Sequence, residues 1–158
     1  MQISVVIPCF NAASFLGQTL ASLEKAIGDI EVEVIVVDDG STDGTLRLLE
    51  ESSERYPWLK TLTQKNAGPA VARNTGAKEA QGDFLVFLDA DDEMEPEALQ
   101  EAATYIANSP EKDVLIGRYQ IVEADGSARD MPFVARFLGD SPHVADYIRG
   151  DLAVQQGG

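Results

Sequence analysis

The 158-residue chain is long enough to bury one substantial core, and its 44% apolar and 25% charged residues are ordinary for a globular protein. With 27 acidic against 12 basic residues, the net charge of −15 argues against nucleic acid as a partner and against electrostatic docking of this segment on anionic lipid. No apolar run is long enough to cross a membrane, the N-terminus lacks a secretory pattern, and the single Cys9 excludes an internal disulfide or a cysteine-based zinc site. The expected location is the cytoplasm or the inner face of a membrane.

Gln2 to Ile7 reads as a first strand that Pro8 ends by removing a donor. Pro8-Cys9-Phe10-Asn11 forms the turn into a helix, with Asn11 as the expected N-cap. Phe15, Leu16, Thr19, Leu20, Leu23 and Ile27 recur at helical spacing, and Gly28 suits the stop. A second strand, about Val32 to Val37, runs into Asp38-Asp39-Gly40-Ser41-Thr42-Asp43-Gly44. Gly40 and Ser41 read there as a tight turn and a cap. A second helix runs from Leu46 to about Arg55. A short third strand, Leu59 to Thr63, leads into the polar loop Gln64–Gly68. Pro69 fits a first helical position. Ala70 to Ala80 is rich in Ala and Gly, so this helix can lie close to its neighbours, and Gly82 closes it.

Phe84 to Leu88 reads F-L-V-F-L, apolar at both parities, as in a strand buried on both faces of a parallel sheet. It runs into Asp89, Asp91 and Asp92, beyond the carboxyl end of a strand, where open α/β sheets bind ligands. Crowded carboxylates repel, and one of them tends to hold a proton. A hard divalent cation, Mg²⁺ or Mn²⁺, relieves that repulsion through oxygen ligands. A solvated acidic turn that caps the next helix is the alternative. Pro96 fits the start of that helix, with Leu99, Ala102, Ala103 and Ile106 inward. Val114 to Ile116 is a further short strand, Tyr119 to Val122 another, followed by a tight turn at Asp125-Gly126. From Ser127 the pattern weakens, with a helix at Ser141 to Ile148. Lone His143 and Trp58 fit surface or packing roles.

The alternation of strands and helices calls for an α/β fold: a mostly parallel central sheet flanked by helices on both faces, with right-handed crossovers. The first strand is followed by P-C-F-N-A-A, without the glycines of a dinucleotide fingerprint, and no G-x-x-x-x-G-K-[ST] loop occurs. A phosphate-accepting receiver domain would explain acids at strand ends but not the stretch from Asn66 to Gly76.

Four stretches remain, all at strand ends: S-V-V-I-P-C-F-N at Ser4–Asn11, V-V-D-D-G-S-T-D at Val36–Asp43, N-A-G-P-A-V-A-R-N-T-G at Asn66–Gly76, and F-L-D-A-D-D at Phe87–Asp92. In this order and spacing they resemble the family 2 glycosyltransferases of GT-A fold, over about the first 110 residues. The resemblance implies a transferase that moves a sugar from a nucleotide-diphosphate sugar, with UDP preferred, to a glycan or lipid-linked acceptor, with inversion. It implies a donor site formed by Pro8, Phe10, Asn11, Asp38, Asp39, Gly68, Arg73, Asp89 and Ala90. Phe10 would stack on the base, Asp39 or Asp38 would accept a hydrogen bond from it, and Arg73, with Lys65 nearby, would face the diphosphate. Asp89-Ala90-Asp91 matches the family's D-x-D motif, which makes Asp91, with Asp89, the ligand of Mg²⁺ or Mn²⁺. Asp92 fits an outer position or a helix cap.

The same resemblance divides a single domain, 1–158, into a donor-binding part, 1–117, and the start of an acceptor-side part, 118–158. The catalytic base is expected beyond Gly158, which leaves a donor-binding module without turnover as the second reading. A nucleotidyltransferase of similar fold would carry a Gly-rich basic loop where P-C-F-N-A-A stands.

Overall fold

A computed structural model describes residues 2–108, 120–122 and 126–130. The chain divides into two compact units, Met1–Thr104 and Tyr105–Gly158. In the first, strands β1 (Gln2–Cys9), β2 (Glu31–Asp38), β3 (Leu59–Thr63) and β4 (Phe84–Phe87) form an all-parallel sheet in the order β3-β2-β1-β4. Helices α1 (Leu16–Ile27), α2 (Thr45–Arg55) and α3 (Pro69–Glu79) are the crossovers, and α4 (Ala98–Asn108) follows β4. In the second unit, β5 (Gln120–Val122) and β6 (Ala128–Asp130) pair as an antiparallel hairpin. Its turn holds Gly126, as expected, whereas the short β6 falls where the sequence pattern had faded. The expected elements at Val114–Ile116 and Ser141–Ile148, and His143, lie outside the described residues.

The sheet is sandwiched as its two apolar parities demand. Ile3, Val5, Ile7 and Val34, Val36 meet Leu16, Leu20 and Leu23 of α1, Leu49 of α2 and Leu99 and Ala103 of α4. Each such fully buried Leu, Ile or Val contributes roughly 1.5–3 kcal/mol over its exposed state. On the other face Val6, Ile35 and Val37 meet Ala72 of α3. The small residues of α3 permit that approach: a Cβ placed on Gly76 would sit 2.4 Å from Val6 Cγ1 and 3.2 Å from Val37 Cγ2.

Several expectations are corrected. Pro8 does not end β1; Pro8 pairs with Val37 and Cys9 with Asp38. The backbone of alternate residues faces alternate neighbours in a parallel sheet. Leu88 N–H donates to the Val6 carbonyl on the β4 side, and Asp39 N–H to the Cys9 carbonyl on the β2 side. Pro8, with Val6's parity, therefore turns its missing donor toward β4, whose pairing ends at Phe87, and no ladder bond is lost.

Nor is β4 buried on both faces. Phe84 and Val86 pack into the main core, while Leu85 and Phe87, on the α3 side of the sheet, are 40% and 49% exposed. Among the described residues β4 pairs only with β1, and α3 lies over β1 and β2 instead. Helix α4 begins at Ala98, not Pro96, because Glu97 takes a left-handed φ of 65° that a helix cannot include. α3 ends with Ala80 as its C-cap, before Gly82.

Candidate active site

All four strands run the same way, so the loops after β1, β2, β3 and β4 emerge at one sheet edge. The loops after β1 and β2 are strapped together. Asn11 is not the N-cap of α1; that position falls to Phe15, without a side-chain bond. Asn11 sits instead at a left-handed φ of 51°, and its Oδ1 accepts from Thr42 N–H at 2.9 Å while its own N–H donates to Ser41 Oγ at 2.8 Å. Ala12 N–H donates to the buried Thr45 Oγ1 at 2.9 Å, and Ala13 N–H to Asp43 Oδ2 at 3.2 Å. Asp43 in turn accepts from Thr45 N–H (2.9 Å) and from the Thr45 hydroxyl (2.5 Å).

The loop after β3 is tied to the same hub. Asp39, 3% exposed, accepts from Gln64 Nε2 at 2.7 Å, Ala67 N–H at 2.9 Å and Gly68 N–H at 2.8 Å. Thr75 of α3 donates to Gln64 Oε1 at 2.7 Å, which fixes the amide with its NH₂ toward Asp39. Gly40 passes beneath this loop at φ 77°, where a Cβ would lie 3.0 Å from the Asn66 nitrogen. Asp38 is fully buried, and both its oxygens accept from Ser41 N–H at 3.3 Å.

The loop after β4 is held by α1. The Thr19 hydroxyl donates to the Ala90 carbonyl at 2.8 Å, and Met94 N–H to Ser22 Oγ at 2.9 Å. Thr19 is 1% exposed, so the valine variant strands a buried carbonyl next to the two site carboxylates. Thr19→Val is expected to cost about 1–3 kcal/mol, read as a lowered urea midpoint at unchanged slope.

Between these loops lies a hollow of about 380 Å³, lined by Pro8, Phe10, Asn11, Ala12, Phe15, Pro69, Arg73, Asp89, Ala90 and Asp91. Seven of the residues singled out in the sequence line it: Pro8, Phe10, Asn11, Arg73, Asp89, Ala90 and Asp91. Asp38, Asp39 and Gly68 do not; they hold the loops that shape it. Ala12, Phe15 and Pro69 line it without having been singled out. Phe15, counted at helical spacing with α1, falls on the turn before the helix and is 53% exposed. Phe10, 50% exposed, is the other bared ring. The Arg73 guanidinium is hydrogen-bonded and ion-paired to Asp89 Oδ1, which joins α3 to the loop after β4.

The electrostatics follow these contacts. Burial works to raise the Asp39 carboxyl, but the bonds from Gln64, Ala67 and Gly68 outweigh it and hold the pKa below the usual value. For Asp43 the Thr45 hydroxyl is the main cause of a similar lowering. In Glu33 burial is again overcome, by Ser4 Oγ at 2.6 Å and by the N–H groups of Gln81 and Gly82. The Asp92 pKa is raised, first by shielding from water and then by the charges of Asp89 and Asp91, as expected for crowded acids. Burial, then Asp38, Asp43 and Asp39, push Cys9 up to about 12, which leaves it an inert thiol.

The lowered groups bind fewer protons folded than unfolded near their ordinary values of about 4. Their contribution is complete above about pH 5 and is lost as pH falls through about 4. Asp92 has the opposite sign, contributing at low pH and losing that contribution as pH rises. The expected net result, three groups against one, is a urea midpoint that drops below about pH 4, with a shallower drop in Asp39→Asn.

Two carboxylates reach the hollow, and among the described residues no three His, Cys, Asp or Glu side chains gather to close a metal site unaided. Asp89 and Asp91 are hard oxygen donors beside a space that a ligand's own oxygens could fill. That donor set fits a divalent cation which shares its shell with substrate phosphates.

A parallel sheet with helices on both faces, its strand-end loops framing an acidic hollow, is the arrangement of the GT-A glycosyltransferase structures it resembles. Comparison with known proteins gives the family. The description of glycosyl transferase family 2 matches residues 4–150. Poly(ribitol-phosphate) beta-N-acetylglucosaminyltransferase TarS of Staphylococcus aureus is 35% identical over 133 residues, 83% of this chain and 23% of that protein. The crystal structure of S. aureus TarS 1–349 with UDP-GlcNAc superposes with a TM-score of 0.65 at 37% identity, over 70% of this chain and 32% of that one. Mannosyltransferase PcManGT from Pyrobaculum calidifontis, in complex with GDP-Man and Mn²⁺, gives 0.61 at 28% identity, over 73% and 34%. The chain belongs to glycosyl transferase family 2. It spans about a quarter of the length of TarS.

Proposed function

We propose that this chain contains the donor site of a metal-dependent glycosyltransferase. It would bind a nucleotide-diphosphate sugar, UDP-linked by preference, for inverting transfer to a glycan or lipid-linked acceptor. The observation that carries the reading is the hollow itself, where an exposed aromatic ring, one arginine and the two carboxylates of Asp89-Ala90-Asp91 converge from separate segments. The nucleotide-sugars bound by the TarS and PcManGT structures support it.

In this reading Phe10 offers a flat face to the base, a contact typically worth ~1–3 kcal/mol. Arg73 meets the diphosphate with a planar fork of donors. Asp91 and Asp89 would hold Mg²⁺ or Mn²⁺, which when bound supplies Lewis-acid stabilisation of charge on the departing diphosphate. Ala90, without a longer side chain, leaves the backbone open to the sugar. Asp39 acts one step back: with three donors on its carboxylate it holds the Gln64–Gly68 loop, and so the start of the helix that bears Arg73. Residues 1–117 form the donor-binding part in this proposal, and 118–158 begin the acceptor side.

A thermal-shift series with UDP, UDP-sugars and GDP-sugars, each with Mn²⁺ or EDTA, tests this. A ligand at ~100 times its Kd stabilises by about 2.7 kcal/mol, a shift of several degrees. The expected result is a shift with a UDP-sugar that needs the cation; the absence of any nucleotide-dependent shift refutes the reading.

A further inference from the structure

We propose that Arg73 is shared between two partners. In the arrangement seen here it neutralises Asp89; a nucleotide diphosphate in the hollow draws it away and releases Asp89 to a divalent cation. Cation and diphosphate then bind cooperatively through this one side chain. The inference rests on the donor-site reading above and adds a coupling role for Arg73.

Four observations carry it. Arg73 is the only basic residue lining the hollow among those described, so an incoming diphosphate finds a single cationic side chain, already paired. The pair is open to solvent, with side chains 34% and 52% exposed, so exchanging it for another anion costs little. The Asp89 side is fixed: Leu88 N–H is bonded to Val6, and the Ala90 carbonyl to Thr19. The base of Arg73 is fixed as well, because its helix neighbours Ala72 and Gly76 are buried against the sheet. The adjustable part is the guanidinium on its long stem, and its fork can turn from a carboxylate to a phosphate.

The expected consequence is a pair of opposite shifts. In Arg73→Gln, Asp89 loses its competing partner, so Mn²⁺ titrated alone binds about two- to fivefold tighter, the range an exposed ion pair accounts for. UDP in the presence of Mn²⁺ binds more weakly than to the wild type. The factor by which each ligand improves the other, equal in both directions by linkage, shrinks. Arg73→Lys restores a charge beside Asp89 and is expected to bring the Mn²⁺-only affinity back toward wild type. Lys78→Gln, an equal charge change in the last turn of α3, is expected to leave it unchanged.

Calorimetry of Mn²⁺ alone, UDP alone and UDP with saturating Mn²⁺ reads all of these, with melting temperatures confirming that each variant is folded. If Arg73→Gln binds Mn²⁺ no tighter than wild type, or no tighter than Lys78→Gln does, the shared role is refuted while the donor site stands. If wild-type protein binds UDP under no condition, the donor-site reading fails first, and this inference with it.

Discussion

Asp91→Asn is expected to abolish the cation dependence of nucleotide binding. Asp91 lines the hollow and makes no side-chain hydrogen bond or salt bridge among the described residues, whereas Asp89 is bound to Arg73. In the proposed site, replacing one carboxylate oxygen by an amide nitrogen would remove one of the two carboxylates that line the hollow among the described residues. Changing even the outer partners of metal ligands typically costs ~10–100-fold in affinity, so losing a direct ligand is expected to cost at least about 100-fold. Asp91 is exposed and outside the core, so the melting temperature without ligand should stay within about a degree of wild type. Calorimetry of UDP with and without Mn²⁺ decides the point: unchanged affinity and unchanged metal dependence would remove Asp91 from the site.

Gly76→Ala is expected to be among the most damaging small changes in the scaffold. The added Cβ would lie 2.4 Å from Val6 Cγ1, on a β-branched residue locked in the central strand, with Val37 close behind. Neither valine can swing aside, so α3 must lift from the sheet. Overpacking of this kind costs about 1–3 kcal/mol, or roughly 4–8 °C per kcal/mol in a unit of this size. Because α3 carries Arg73, the shift should also weaken donor binding, which separates this site from an ordinary core position. A melting temperature equal to wild type would show that the close packing of α3 on β1 is absent in solution.

Much of this arrangement was legible in the residues. β3 and the start of α3 at Pro69 were readable because local chemistry and tertiary role agree there. So was the meeting of four motifs at one sheet edge, which follows from parallel strands alone. The failures came where position in the sheet decides. Pro8 looked like a stop because the sequence does not show toward which neighbour its missing N–H points. Phe84–Phe87 looked like a strand buried on both faces because its residues are apolar at both parities, while Leu85 and Phe87 are 40% and 49% exposed.

Within the site, the residues that line the hollow were easier to find than those that hold its loops. Asp39 and Asp89 are both motif acids, yet only the second reaches the hollow. Asp39 is consumed by Gln64, Ala67 and Gly68, contacts between segments 25 to 29 residues apart that no local pattern discloses. The same holds for Thr19, read only as one position of a helical repeat until its hydroxyl is seen to support Ala90.

The central claim is that separate strand-end loops build one site for a cation and a nucleotide diphosphate. Its most direct test is a crystal structure of the protein grown with UDP and Mn²⁺. The expected density is a nucleotide in the hollow, its base against Phe10, its diphosphate beside Arg73, and a metal peak shared with Asp91. A nucleotide bound elsewhere, or a metal held only by other acids of this very acidic chain, would contradict the account.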